Sequence, residues 1–327
     1  MKIAIITDGN NTLGMGHVYQ SITLANLLKT NTQADILFVT KSDQKVVDLI
    51  CESNFPVFFH PNDESIFNFL ESRNLDKIIF DKLDVPPDLA KKIKEGINAK
   101  LIIFTNLTEA NKYADVTVMA GMGSDFKNIY SKNTDRGRVE FWGPKYWLLR
   151  PEFYAIRPSK SKPVDIKNIM LIFGGADRAN LSTAVLKELL EMETAAFVIT
   201  IILGAAFMNR TELNDVKNAH SSSKSKVIII DGLKDVAGTM YQNDLVFASP
   251  GLSFFEALAV GTAVLCFHQN DFQRDAWKSH IPTLGKQDVY KVPSLINEQA
   301  FIFPKDEFIR VMEVGQGREE IIREIIN

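Results

Sequence analysis

Lys2-Ile3-Ala4-Ile5-Ile6-Thr7-Asp8-Gly9-Asn10, followed shortly by Gly14-Met15-Gly16-His17-Val18-Tyr19-Gln20, is the stretch on which the fold turns. Its β-branched opening reads as a first strand, and the apolar run is far too short for the core of a signal peptide. The glycines close a turn that opens straight into a helix over 17–29. A strand, a glycine turn and a helix in that order open a doubly wound α/β domain.

Outward from this unit the alternation continues. Strands are expected over 36–40, 57–60, 77–81, 101–105 and 116–119, with helices over 44–53, 64–72 and 87–95. Between Gly123 and Ile166 the pattern lapses into Asn, Lys, Ser, Gly and Pro, and the hinge is placed there. A second series then runs through strands over 168–173, 197–203, 226–230, 245–248 and 263–267. Its helices are expected over 180–192, 211–218, 235–242, 253–260 and 271–279. At 327 residues the chain is about twice a typical domain. The expected organisation is a Rossmann-like domain over 1–150, a second over 151–305, and a C-terminal helix within 306–327 packing back on the first. Two such sheets would turn their strand ends toward a shared crevice, where these folds bind ligands.

Composition narrows the function classes. Apolar residues at 46% and charged residues at 24% are ordinary globular usage. A formal charge of −3, with scattered lysines and arginines, leaves no footprint for nucleic acid. The longest nearly apolar stretch, 194–208, is shorter than the ~20 residues a bilayer span needs, so no stable membrane insertion and a cytoplasmic location are expected. Cys51 and Cys266 sit in apolar surroundings without CxxC or zinc-like spacing, so both read as reduced core residues and no metal is expected.

Four strand-end loops and one strand end carry candidate chemistry. In the first loop, Gly14 and Gly16 would let backbone amides approach a ligand, although Tyr19 stands where a dinucleotide fingerprint needs its third glycine. His17 would lie at a helix start that favours a neutral, proton-accepting imidazole; it reads equally as a general base or as a cap. In the second loop, Ser249-Pro250-Gly251-Leu252-Ser253 exposes amides and hydroxyls suited to a diphosphate without a metal. Glu256, one turn into the helix, either accepts from a ribose diol or folds back in a Ser253-x-x-Glu256 capping box. In the third, Gly174, Gly175 and Asp177, with Arg178 and Asn180 beyond, make a phosphate or sugar contact or an ordinary tight turn. In the fourth, Asn270 and Gln273 offer amides to sugar hydroxyls, or Asn270 or Asp271 merely caps a helix. Asp81, ending its strand, is either functional or a cap for the next turn.

In their joint order these motifs resemble the UDP-2,4-diacetamido-2,4,6-trideoxy-β-L-altropyranose hydrolases of pseudaminic acid synthesis and the related spore-coat polysaccharide proteins. The resemblance covers roughly residues 2–279. It rests on Gly14-x-Gly16-His17, on Gly143-Pro144-x-Tyr146-x-Leu148-Leu149-Arg150-Pro151-Glu152-Phe153, and on Phe173-Gly174-Gly175-x-Asp177-x-x-Asn180-Leu181. Ser249-x-Gly251-x-Ser253-x-x-Glu256 and the Gln273 loop complete it. It implies a glycosyltransferase-B fold with uridine diphosphate held mainly by the C-terminal domain. It also implies a histidine at the position of His17 that drives water onto the anomeric carbon with inversion, without a cofactor.

On that basis the expected activity is a UDP-sugar hydrolase of nonulosonate or surface polysaccharide biosynthesis. His17 and Asp81 are its candidate catalytic residues, with Asp81 positioning sugar or water. An inverting UDP-sugar glycosyltransferase and a non-catalytic nucleotide-sugar-binding protein are the alternatives. Two positions depart from the family pattern. Gln20 stands where an arginine is usual, and Asp81-Lys82-Leu83 stands where Asp-x-Tyr is usual, so a fixed charge and a phenol are absent.

Overall fold

The computed structural model describes residues 1–9, 15–121, 131–135, 137–156, 161–192, 196–278, 281–303, 306 and 312–327. The chain divides into two compact units, Met1–Leu148 with Met312–Asn327, and Leu149–Val311.

In the first unit the chain runs β1 (Lys2–Thr7), α1 (Gly16–Asn31), β2 (Asp35–Thr40), α2 (Gln44–Glu52), β3 (Val57–Phe59) and α3 (Asp63–Glu71). It continues through β4 (Lys77–Asp81), α4 (Pro87–Gly96), β5 (Lys100–Phe104), β6 (Val116–Met119), β7 (Ser131–Asp135) and β8 (Arg138–Trp142). The sheet order is β3-β2-β1-β4-β5-β6-β8-β7, parallel except for the β7–β8 pair. Successive side chains of β1 face opposite ways, as the period of two requires. Ile3 and Ile5 join a core with Val18 and Leu28 of α1 and Ile50 of α2. Ala4 and Ile6 join another with Leu70 of α3 and Ile93 of α4. The sheet is therefore covered on both faces, which explains why its strands read as nearly continuous apolar runs.

The second unit runs α5 (Pro151–Ala155), β9 (Asn168–Ile172), α6 (Leu181–Leu190), β10 (Val198–Leu203), α7 (Arg210–Ala219), β11 (Lys226–Asp231) and α8 (Val236–Gln242). It ends with β12 (Leu245–Ala248), α9 (Leu252–Ala259), β13 (Ala263–Cys266), α10 (Asp271–Trp277) and α11 (Val292–Asn297). Its five strands are all parallel in the order β11-β10-β9-β12-β13. Ile169, Leu171, Ile201 and Phe247 pack in one cluster with Leu186 of α6 and Leu213 of α7.

The chain then returns to the first unit. Helix α12 (Arg318–Ile326) buries Ile321, Ile322 and Ile325 in the same cluster as α1. Lys100 donates to the Glu324 carbonyl at 2.6 Å, and Lys145 pairs with Glu313 and Glu320.

The stretch read as a hinge, 123–166, contains the point after Leu148 where the units part, and it also carries the β7–β8 pair, for which no strands were expected. The core reading of Cys51 is corrected. Cys51 is exposed, because Val46 and Ile50 take the inward stripe of α2 and leave Cys51 on the outer face. Cys266 is buried, and burial pushes its thiol well up. Among the described residues no helix is long and apolar enough to cross a membrane.

Candidate active site

Strand order places both groups of candidate residues. In the first unit β1 lies between β2 and β4, and in the second β9 lies between β10 and β12. Successive connections leave β1 and β9 in opposite directions along the sheet, and the carboxyl ends at such a switch point form a crevice.

In the first unit Thr7 of β1 stands beside Asp81 of β4 in parallel register. Helix α1 begins beyond β1, and His17, Gln20 and Ser21 share one face of it at the i, i+3, i+4 spacing. That face meets Asp81. His17 Nδ1 lies 2.8 Å from Asp81 Oδ1, while Gln20 Nε2 and Ser21 Oγ each donate to Asp81 Oδ2 at 3.1 Å. Asp81 is fully buried, whereas the His17 side chain keeps 14% of its surface exposed. A carboxylate only accepts hydrogen bonds, so it holds the proton of neutral imidazole on Nδ1 and leaves the Nε2 lone pair free to take a proton.

Both cap readings fail here. Met15 is the N-cap of α1 with no side-chain cap bond, and Asp81 bonds to α1 rather than to its own turn. With both oxygens engaged by α1 in a buried position, Asp81 faces the helix rather than solvent. Gln20, read as a lost charge, is buried at Asp81 and also donates to Thr105 Oγ1 at 3.4 Å. Thr105 has φ +55°, a strained backbone for a β-branched residue, of the kind that gathers at functional sites. Sequence reading passed over Ser21 and Thr105. The i+4 spacing from His17 was a usable sign for Ser21; nothing in the sequence marks Thr105.

Beside this group lies a buried ion pair. Lys82 Nζ donates to Asp8 Oδ2 at 2.8 Å, and Asp8 Oδ1 accepts from the Lys41 amide and the Thr40 hydroxyl. Burial, the largest influence on Asp8, opposes ionisation. Lys82 and the surrounding donors outweigh it and hold the carboxyl below its usual value. Leu83 is half-buried and presents no side-chain donor; its carbonyl accepts from Leu107 N. Gly16 opens α1 in an exposed position, and Gly14 lies outside the described residues.

In the second unit the loops after β9, β12 and β13 gather at one end of the sheet. Gly174 and Gly175 follow β9, and a Cβ on Gly204 would meet the Gly175 backbone at 2.4 Å, so glycine at 204 lets the loop seat against the end of β10. Asp177 turns toward the start of α6. It is buried, and its two oxygens accept from Leu181 N and Ser182 N at 2.8 Å each, anchoring the start of α6. That burial raises its carboxyl above the usual range. Gly251 is the N-cap of α9 at φ +155°, so Leu252 is the first helical residue and Ser253 the second. The capping box therefore does not form. Glu256 is buried, with Oε1 accepting from Arg150 Nε at 3.0 Å, and burial raises its carboxyl despite the arginine. Asn270 caps α10 by accepting from Gln273 N at 2.8 Å, and Gln273 Oε1 reaches back to Gln269 N.

No family model matches the chain. It is 38% identical over 331 residues to an uncharacterized protein of Methanocaldococcus jannaschii, covering all of this chain and 66% of that relative. It thus spans just under two thirds of that protein's length. The spore coat polysaccharide biosynthesis protein SpsG of Bacillus subtilis is 28% identical over 278 residues, 84% of this chain and 79% of SpsG. Among solved structures, MurG of Acinetobacter baumannii superposes with TM-score 0.62 at 11% identity, covering 100% of this chain and 99% of MurG. The UDP-GlcNAc 2-epimerase of Neisseria meningitidis, bound to UDP-GlcNAc, gives 0.60 at 11% identity with 100% and 99% coverage. The fold is glycosyltransferase-B.

Within this glycosyltransferase-B chain the site candidates fall into two groups, each at the switch point of its own sheet. His17, Asp81 and Gly16 stand at the first. Gly174, Gly175, Ser249, Gly251, Leu252, Ser253, Glu256, Asn270 and Gln273 stand around the second. Among the described residues no cluster of three or more His, Cys, Asp and Glu has the arrangement of a metal site.

Proposed function

We propose that this protein is a UDP-sugar hydrolase of surface polysaccharide or nonulosonate, pseudaminic acid-like, biosynthesis, working in the cytoplasm. The observation that carries the reading is the His17–Asp81 pair, an imidazole with one nitrogen tied to a buried carboxylate and the ring still reachable by water. Nε2 of His17 takes a proton from water as the oxygen bonds to the anomeric carbon. The bond from that carbon to the diphosphate oxygen breaks on the opposite face, releasing UDP and the inverted sugar. Asp81 steadies the imidazolium that forms, as an oriented carboxylate does in other histidine bases.

The second unit holds the nucleotide in this reading. The amides of the Gly174–Gly175 and Gly251–Ser253 turns and the N-terminus of α9 meet the diphosphate charge as it grows. Glu256, oriented by Arg150, accepts from the ribose diol, and Asn270 and Gln273 stand at the sugar. The likeness to SpsG supports a place in polysaccharide synthesis, and the bound UDP-GlcNAc of the structurally similar epimerase supports a UDP-sugar ligand.

The purified protein should release UDP from a UDP-sugar without an acceptor. His17→Ala should lower kcat by about 10²- to 10⁴-fold while leaving UDP affinity nearly unchanged. Normal turnover by that variant would sink the mechanism. Release only with an added hydroxyl acceptor would assign an inverting transferase, and tight UDP binding without release would assign a binding protein.

A further inference from the structure

One side chain, carried on the loop after β13, is bonded to both of the other loops that gather at the second sheet's carboxyl end. Gln269, between β13 and α10, accepts through Oε1 from the Arg178 amide at 2.7 Å in the loop after β9. Its Nε2 donates to the Phe173 carbonyl at 2.8 Å in that same loop and to Ser249 Oγ at 3.0 Å in the loop after β12. Its own backbone N–H donates to Gln273 Oε1 at 2.8 Å. A primary amide has two N–H donors and one acceptor oxygen, and Gln269 uses all of them. An ionised carboxylate could keep the Arg178 contact but make neither donation, and an apolar side chain could make none of the three.

We propose that Gln269 is a positioning residue that locks the three loops at the spacing a nucleoside diphosphate needs and fixes the Ser249 hydroxyl as a donor toward it. This role rests on the UDP-sugar reading above. A serine hydroxyl can donate or accept. Because Ser249 Oγ accepts from Gln269, its proton points elsewhere and is available to an anionic oxygen. Loops held in this way before the ligand arrives lose less freedom when it binds.

Two variants separate this role from simple support of the fold. Gln269→Met keeps the length of the side chain and removes its three bonds. Gln269→Glu keeps the Arg178 contact, draws the Ser249 proton toward the new carboxylate, and places a negative charge beside the diphosphate. The UDP dissociation constant should rise about tenfold in Gln269→Met and about a hundredfold in Gln269→Glu. KM for the UDP-sugar should rise with it, and kcat should stay within about threefold of wild type, as for an interaction made equally in ground and transition states. In the ligand-free protein, hydrogen exchange at the Arg178 amide should accelerate in Gln269→Met and not in Gln269→Glu.

Equal UDP affinity in wild type and both variants would overturn the role. So would an equal loss in both variants with an equally lowered melting temperature, which is what a merely structural residue predicts. Absence of UDP binding by the wild type would overturn the functional reading and this role together, whereas wild-type binding with unaffected variants overturns the role alone.

Discussion

Three side chains of one helix face converge on the carboxyl group of Asp81. An asparagine there would keep the shape while losing the obligation to accept, since its amide can turn an N–H toward Nδ1 and move the imidazole proton to Nε2. Asp81→Asn should therefore lower kcat by about 10²-fold or more, with KM little changed, in a UDP-release assay. Asp8 predicts a pH effect on stability. Its native carboxyl lies below the ordinary value, so its contribution is complete above the unfolded value of 3.8 and is lost as pH falls through the native one. Asp8→Asn should cost about 3 kcal/mol near neutral pH, because it leaves the buried Lys82 only the exposed Asp84, 3.3 Å away, as a charge partner. In urea unfolding followed from about pH 6 to about pH 2, the gap between wild type and variant should narrow as acid protonates Asp8. A gap independent of pH would refute the assignment.

Helix α12 shows what an element gains from sites far along the chain. Its own sequence offers an apolar stripe of Ile321, Ile322 and Ile325, and the partner of that stripe is the α1 face of the first sheet. Entry to the helix is tight. Gly317 N donates to the Lys145 carbonyl at 2.8 Å, and a Cβ at Gly317 would meet the buried Tyr146 ring at 2.4 Å. The backbone at Gly317 has φ −82°, so conformational strain plays no part, and the ring contact decides, with the Lys145 carbonyl 3.1 Å away adding to the crowding. Gly317→Ala should destabilise the protein by about 1–3 kcal/mol through overpacking, measured by denaturant unfolding. Gly317→Ala with Tyr146→Leu should recover part of the loss. The β7–β8 hairpin teaches the converse lesson. Thr134 and Asp135 pair with Val139 and Arg138 through backbone bonds, which a polar sequence neither advertises nor prevents.

At the scale of the whole molecule the chain has two switch points with different equipment: a carboxylate-oriented imidazole at one, and amide-rich loops at the other. UDP should accordingly slow hydrogen exchange in the loops after β9, β12 and β13 and leave α2, α3 and α4 unaffected. Protection confined to the first unit would reverse the assignment of nucleotide binding. Because loop amides and a helix N-terminus are proposed to meet the diphosphate charge, a chelator should leave UDP release unchanged. The alternation of apolar runs with helix-period segments made the strands of both sheets other than β7 and β8 legible in the sequence, together with the loops that end them, because periodicity reports local geometry directly. Strand order was not legible, and it is strand order that sets β4 beside β1 and so brings His17 against Asp81, 64 residues further on. The same limit hid Gln269, whose three partners lie in two loops distant in sequence, and it left Glu256 open between a ribose contact and a cap, with Arg150 unforeseen as its partner. A residue's own sequence neighbourhood determines which element it joins. Which groups become neighbours across elements is decided only when backbone hydrogen bonds fix the register of the sheet and burial selects the pairs that satisfy one another.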